Sequence, residues 1–162
     1  MNAKKLRFAC MCLMGATFLP GCAKAPPTVT EAEGRVLLDG QPLSSASVQF
    51  IPQLDGFGAE WNSIGSTDAD GKFQLQCAFK NQPGAVVGTH WVLVTEMPVP
   101  GEYRSQENQG GYEKYLTSLV NRPIPRQYGE IRTTPLKVEV KKGQKTYELA
   151  LTRGAVNLTK GP

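Results

Sequence analysis

At 162 residues, with a formal net charge of +4 and 20% charged side chains, the chain has room for one domain and one hydrophobic core. Its 40% hydrophobic content excludes a disordered protein, and its interspersed lysines and arginines form no basic face of the kind that phosphate binding needs, so no nucleic-acid partner is expected. With 17 Gly and 12 Pro, turns are frequent, which favours many short strands over long helices.

The chain opens on MNAKKLRF, where Lys4, Lys5 and Arg7 supply positive charge, and FACMCLMGATFL follows as an apolar run too short to span a bilayer. Together they read as a signal peptide over residues 1–21. It ends on LPGC, Leu19 to Cys22, which resembles the lipobox of bacterial lipoproteins, with Pro20 where a small residue is more usual. The resemblance implies that Cys22 becomes the N-terminus and carries acyl chains, a thiolate being nucleophilic enough to take up a diacylglyceryl group near neutral pH. At about 0.8 kcal/mol per buried methylene, two or three such chains hold a protein on its membrane where one would be marginal. The expected location is therefore the bacterial cell envelope, with the domain facing the periplasm or the surface. Ala23, in place of a retaining aspartate, favours the outer membrane.

Loss of the signal removes Lys4, Lys5 and Arg7 and no acidic residue, so the formal charge falls by three, from +4 to +1. Cys10 and Cys12 leave with it and Cys22 is acylated, which leaves Cys77 alone and permits no internal disulfide. Residues 22–33, which include AKAPPTVTEAE, contain proline and lack apolar periodicity, as a tether would. Its eleven residues from Ala23 to Glu33 reach about 35 to 40 Å when extended.

The domain is expected over residues 34–152, with a flexible tail over 153–162. In GRVLLDGQPLSSASVQFIP, Val36 and Leu38 share one strand face, DGQP is turn chemistry, and Ala46, Val48 and Phe50 alternate with Ser47 and Gln49. SIGST and KFQLQC read as a hairpin closed by DADG, with Phe73, Leu75 and Cys77 inward. GTHWVLVTE is a fifth strand, apolar on both faces and so covered on both sides or central. PLKVEVKKGQKTYELAL reads as a second hairpin, with Leu136, Val138, Val140, Tyr147, Leu149 and Leu151 inward. Between these lies one long connection, Met97 to Thr134, of a length that is usually functional or disordered. Its first part is polar and turn-rich, and YEKYLTSLV places Tyr112, Tyr115, Leu116 and Leu119 at helical spacing, predicting a short helix lying on the sheets.

In order and spacing, GRVLLDGQPLSSASVQFIP, STDADGKFQL, GAVVGTHWVLV, IPRQYG and TPLKVEV resemble the transthyretin-like, carboxypeptidase-regulatory-like domains carried by small planctomycete-type lipoproteins. The resemblance covers roughly Gly34 to Leu151. His90 departs from it, standing where the pattern places an aromatic. The fold it implies is all-β, a seven-stranded prealbumin-like or Ig-like β-sandwich with one long irregular connection carrying a short helix. It implies no activity, since such domains serve as folding, docking or adhesion accessories.

The candidate sites are few. Asp68, Asp70 and Gly71 suggest a calcium loop, but counting from Asp68 puts Lys72 at position five and Phe79 at position twelve, so only two ligands survive and the stretch reads as a structural turn. The single histidine, His90, has no acid or nucleophile near it in sequence, and zinc would need more than one histidine and one free cysteine. The transthyretin-fold hydrolases of purine breakdown use several histidines and a C-terminal tyrosine-arginine-glycine-serine motif, where this chain reads NLTKGP. No catalytic residue and no cofactor are therefore expected, and a hydrolase is the remotest reading. Trp61, Trp91, Tyr103, Tyr112 and Tyr115, with Tyr128, lie in or near the connections or on the second face of the fifth strand, and exposed aromatics bind sugars by stacking. The expectation is a monomeric, non-catalytic structural or interaction module held on the membrane by Cys22 and meeting an envelope protein or glycan, with a carbohydrate- or peptide-binding module using residues 97–134 as the alternative.

Overall fold

A computed structural model describes residues 25–104 and 109–154. The signal peptide, Cys22 and most of the predicted tail lie outside them. Among the described residues the fold is mostly β, with one short α-helix. Its strands are β1 (Val29–Thr30), β2 (Glu33–Leu38), β3 (Gln41–Pro42), β4 (Ala46–Pro52), β5 (Ser63–Ser66), β6 (Lys72–Gln74), β7 (Gln76–Cys77), β8 (Gln82–Pro83), β9 (Ala85–Val86), β10 (Gly88–Glu96), β11 (Lys137–Val140) and β12 (Thr146–Leu151), and the helix is α1 (Gln109–Ser118). One sheet has the order β11-β10-β4-β5-β7-β8, the other β12-β2-β3 with β6 also on β2, and β1 pairs with β9. Pairing is antiparallel except between β12 and β2, which run parallel.

The alternation read from the sequence matches burial strand by strand. Val36 and Leu38, then Val48 and Phe50, then Val92 and Val94, then Leu149 and Leu151 are all buried. They join Phe73, Tyr147 and Val140 in one core that draws on both sheets. As its two apolar faces predicted, β10 is central, between β11 and β4.

Both expected hairpins are corrected. Lys72–Gln74 pairs with Glu33–Arg35 of β2, and only after Leu75 does the strand join β5, through Ser63↔Cys77 and Ile64↔Gln76. The DADG turn thus carries the chain from one sheet to the other. Likewise β11 pairs with β10 while β12 pairs with β2, so KKGQ joins strands of different sheets. Gly34 permits the crowding this requires: a Cβ there would fall 2.0 Å from the Tyr147 carbonyl oxygen and 2.7 Å from the Phe73 ring.

The chain also joins the fold earlier than Gly34. Val29 and Thr30 pair with Val86 and Ala85, and Ala32 is buried. Val29 packs into a second, smaller cluster with Trp61, Cys77, Val86, Leu54, Phe57 and Phe79. Since β4 ends at Pro52, β5 begins at Ser63 and β7 ends at Cys77, this cluster closes the end of the sheets at which the chain enters. The long connection leaves from the other end, after Glu96, the last residue of β10.

Candidate functional site

The base of the long connection is held by two adjacent polar residues. The Arg122 guanidinium, with 14% of its side chain exposed, donates to Glu96 Oε2 (2.5 Å), to the carbonyls of Ser44 (2.5 Å) and Ser45 (3.0 Å), and to that of Val120 (3.2 Å). The second carboxylate oxygen, Glu96 Oε1, accepts the Ile124 N–H at 3.2 Å. Asn121, in the left-handed region at φ 65°, donates through Nδ2 to Leu38 O (2.9 Å) and Gln41 O (3.3 Å) and accepts Arg153 at 2.8 Å. One residue thus ties the connection to the end of one sheet, and its neighbour ties it to the other. Beyond this clamp, Ile124 and Tyr128 are buried, and the Tyr128 hydroxyl bonds both the N–H (2.9 Å) and the C=O (3.2 Å) of Thr152.

Outside the clamp, α1 forms where the helical spacing placed it and packs against the turn at Gly101–Tyr103. Tyr115 stacks on Tyr103, with ring centroids 5.1 Å apart and planes 20° from parallel. Tyr112, Leu116 and Val120, four residues apart, are 40%, 42% and 73% exposed. Tyr112 and Leu116 lie one turn apart on α1 and form an apolar pair facing solvent, and Val120 lies two residues past the helix end.

Of the predicted aromatics, the structure brings Tyr103 and Tyr115 into ring contact and leaves Trp61, Trp91 and Tyr112 apart from them. Trp61 is 4% exposed, stacked at 4.1 Å on Phe79 and edge-on to Phe57, so its ring is core. Trp91 is half-buried, and its cross-strand neighbour Lys137 places Nζ 4.0 Å over the ring. Tyr103 and Tyr115 cover each other, and Tyr112 stays exposed. No pair of coplanar open rings remains among them to sandwich a sugar.

Asp68 and Asp70 are held by turn chemistry. Asp68 Oδ1 accepts the N–H of Asp70 (2.9 Å) and of Lys72 (2.8 Å), Gly71 takes φ +74°, and Asp70 meets the Lys72 ammonium at 3.4 Å. Among the described residues, no three His, Cys, Asp or Glu side chains gather as metal ligands. Asp68→Ala is expected to cost about 1 kcal/mol and Asp70→Ala less than about 0.5. Urea titrations with and without calcium test this: a calcium-dependent rise in stability would contradict the assignment of these carboxylates to the turn alone.

His90 is fully buried, 5.6 Å from the Phe50 ring. Its Nδ1 lies 3.0 Å from the Gly88 carbonyl, which can only accept, so Nδ1 carries the proton and Nε2 keeps a buried lone pair without a partner among the described residues. Burial pushes its pKa below the ordinary imidazole range, against a smaller upward pull from the Gly88 carbonyl. The unfolded chain therefore binds a proton below pH ~6.5 that the folded chain refuses, so stability is intact above that pH and falls with acidification, by at most about 1.4 kcal/mol per pH unit, down to the folded pKa. His90→Phe should flatten this part of the profile. Equal slopes for the two proteins between pH 6.5 and 5 (about the window of the imidazole) would refute it.

A groove of about 880 Å³ runs where β5 and β6 part, lined by Glu33, Arg35, Lys72 and Gln74 with the exposed Ile64 and Met97. Its charges are mixed, and it contains none of the aromatic candidates. No helix among the described residues is long and apolar enough to cross a membrane. No family model, curated protein or solved structure matches the chain.

Proposed function

We propose that this protein is a lipid-anchored envelope module of the transthyretin-like, carboxypeptidase-regulatory-like kind, a prealbumin-like sandwich without catalysis that presents its long connection to another envelope component. The shared core of the two sheets and the chain's repeated passage between them support the sandwich. The observation that carries the function is polarity. Val29, within the segment read from the sequence as tether, packs at one end, while Arg122 and Asn121 hold the connection at the other, and the six residues of β2 set these ends about 20 Å apart. A lipid on Cys22 therefore puts the membrane at one pole and leaves the clamped base of the long connection, from which the exposed Tyr112 and Leu116 project, at the pole facing away from it.

The test has two arms. Cys22→Ala should abolish fatty-acid labelling and move the protein out of the membrane fraction, and persistence of both would sink the anchor. A photo-crosslinking residue at Leu116 should give a discrete adduct in cells where the same residue at Lys80, beside the smaller cluster, gives none. Equal crosslinking at both positions would remove the assignment of the far pole as the contact surface.

A further inference from the structure

Four of the sheet edges carry a feature that discourages pairing with another chain. β11 presents Lys137 and Glu139 and runs into Lys141 and Lys142; β8 ends in Pro83, β3 in Pro42, and β6 is three residues long and starts on Lys72. β12, TYELAL, has six residues, one charge, and neither proline nor glycine. Among the described residues it pairs on one side only, with β2.

The direction of its free groups is fixed by the ladder. Glu33 N–H donates to Lys145 O (2.8 Å) and Asp39 N–H to Leu151 O (2.9 Å), so in the alternating pattern of a parallel pair residues 145, 147, 149 and 151 face β2. Thr146, Glu148 and Ala150 then aim their N–H and C=O groups away from the sheet, and all three are exposed. Thr152 is next in phase, and its two groups are already taken by the Tyr128 hydroxyl. At the other end the Tyr147 hydroxyl donates to Gln144 O at 2.9 Å. The open edge is thus three residues long, closed at each end within the fold and symmetric about Glu148.

We infer that this edge pairs with the same edge of a second copy, the two β12 strands lying antiparallel about a twofold axis through Glu148. In that register Thr146 faces Ala150 of the second copy, Ala150 faces its Thr146, and each pair, like the central one, exchanges backbone hydrogen bonds. On the inner face, Tyr147 lies opposite Leu149 of the second copy, an aromatic–aliphatic pair of the kind that stabilises neighbouring strands. The one unfavourable contact is Glu148 against Glu148 of the second copy, which weakens the pair and makes it reversible. Slipping the register by one pair would separate these acids but would leave two rungs in place of three.

The experiment uses the full chain in detergent, by sedimentation equilibrium at matched solvent density. The wild type should show a reversible monomer–dimer equilibrium, and Glu148→Gln should tighten it about two- to fivefold. Ala150→Pro, which removes an N–H that the fold leaves unpaired, should weaken it more than about tenfold, as should Ala150→Lys, which adds a charge and keeps the backbone intact. On oxidation Glu148→Cys should crosslink to itself, while Gln76→Cys, on β7, should not. A monomer at the highest concentration reached overturns the inference, and so does a dimer indifferent to both Ala150 variants or one that crosslinks equally through residue 76.

Discussion

Trp61→Ala lowers folding stability by about 4 kcal/mol, the largest loss expected from any single truncation near the chain entry. The ring is sandwiched within the small cluster, stacked on Phe79 and edge-on to Phe57, and it packs with Cys77 and Val86 beneath Val29 and Leu54. These partners come from separate turns and strands, so none can move inward to fill the space an alanine leaves. A cavity then adds to the lost transfer energy. Trp61→Phe, which keeps a stacking face, should recover more than half of the loss. The measurement is a urea titration in which the midpoint falls and the slope is unchanged. A loss below about 1 kcal/mol would mean that this end of the sheets closes without the indole.

Arg122→Ala is expected to cost about 3 kcal/mol, because it removes charge-assisted hydrogen bonds to Glu96 and to the carbonyls of Ser44 and Ser45 at once. The planar guanidinium reaches these acceptors from one position, which a lysine ammonium cannot reproduce, so Arg122→Lys should restore less than half of the loss. Proteolysis gives a second readout. With the clamp gone, cleavage within residues 97–121 should accelerate while the sheets stay resistant. A protein whose connection is cut no faster than the wild type would show that Asn121 holds it alone.

Much of the strand content was legible because alternation is a local code. Phe73, Leu75 and Cys77 fall on every second position, and all three are buried. What alternation cannot encode is which sheet a strand joins, since inward means the same side chains for either layer around one core. That is why KFQLQC and TYELAL were read correctly for burial and assigned the wrong neighbours. The clamp was illegible for a different reason: Asn121 and Arg122 reach acceptors 83 and 78 residues away in the chain, and isolated polar residues in an irregular segment carry no period. Trp61 misled in the same way, because its partners Phe57 and Phe79 lie in turns without repeating spacing.

The passage of one strand through Leu75 has a consequence for how the molecule opens. Phe73 lies in one layer and Cys77 in the other, joined by a few covalent bonds and held on both sides by ladders. Neither layer can fray past this point while its partner stays intact, so local openings that begin in one are arrested or become global. The two layers therefore share a single cooperative unit.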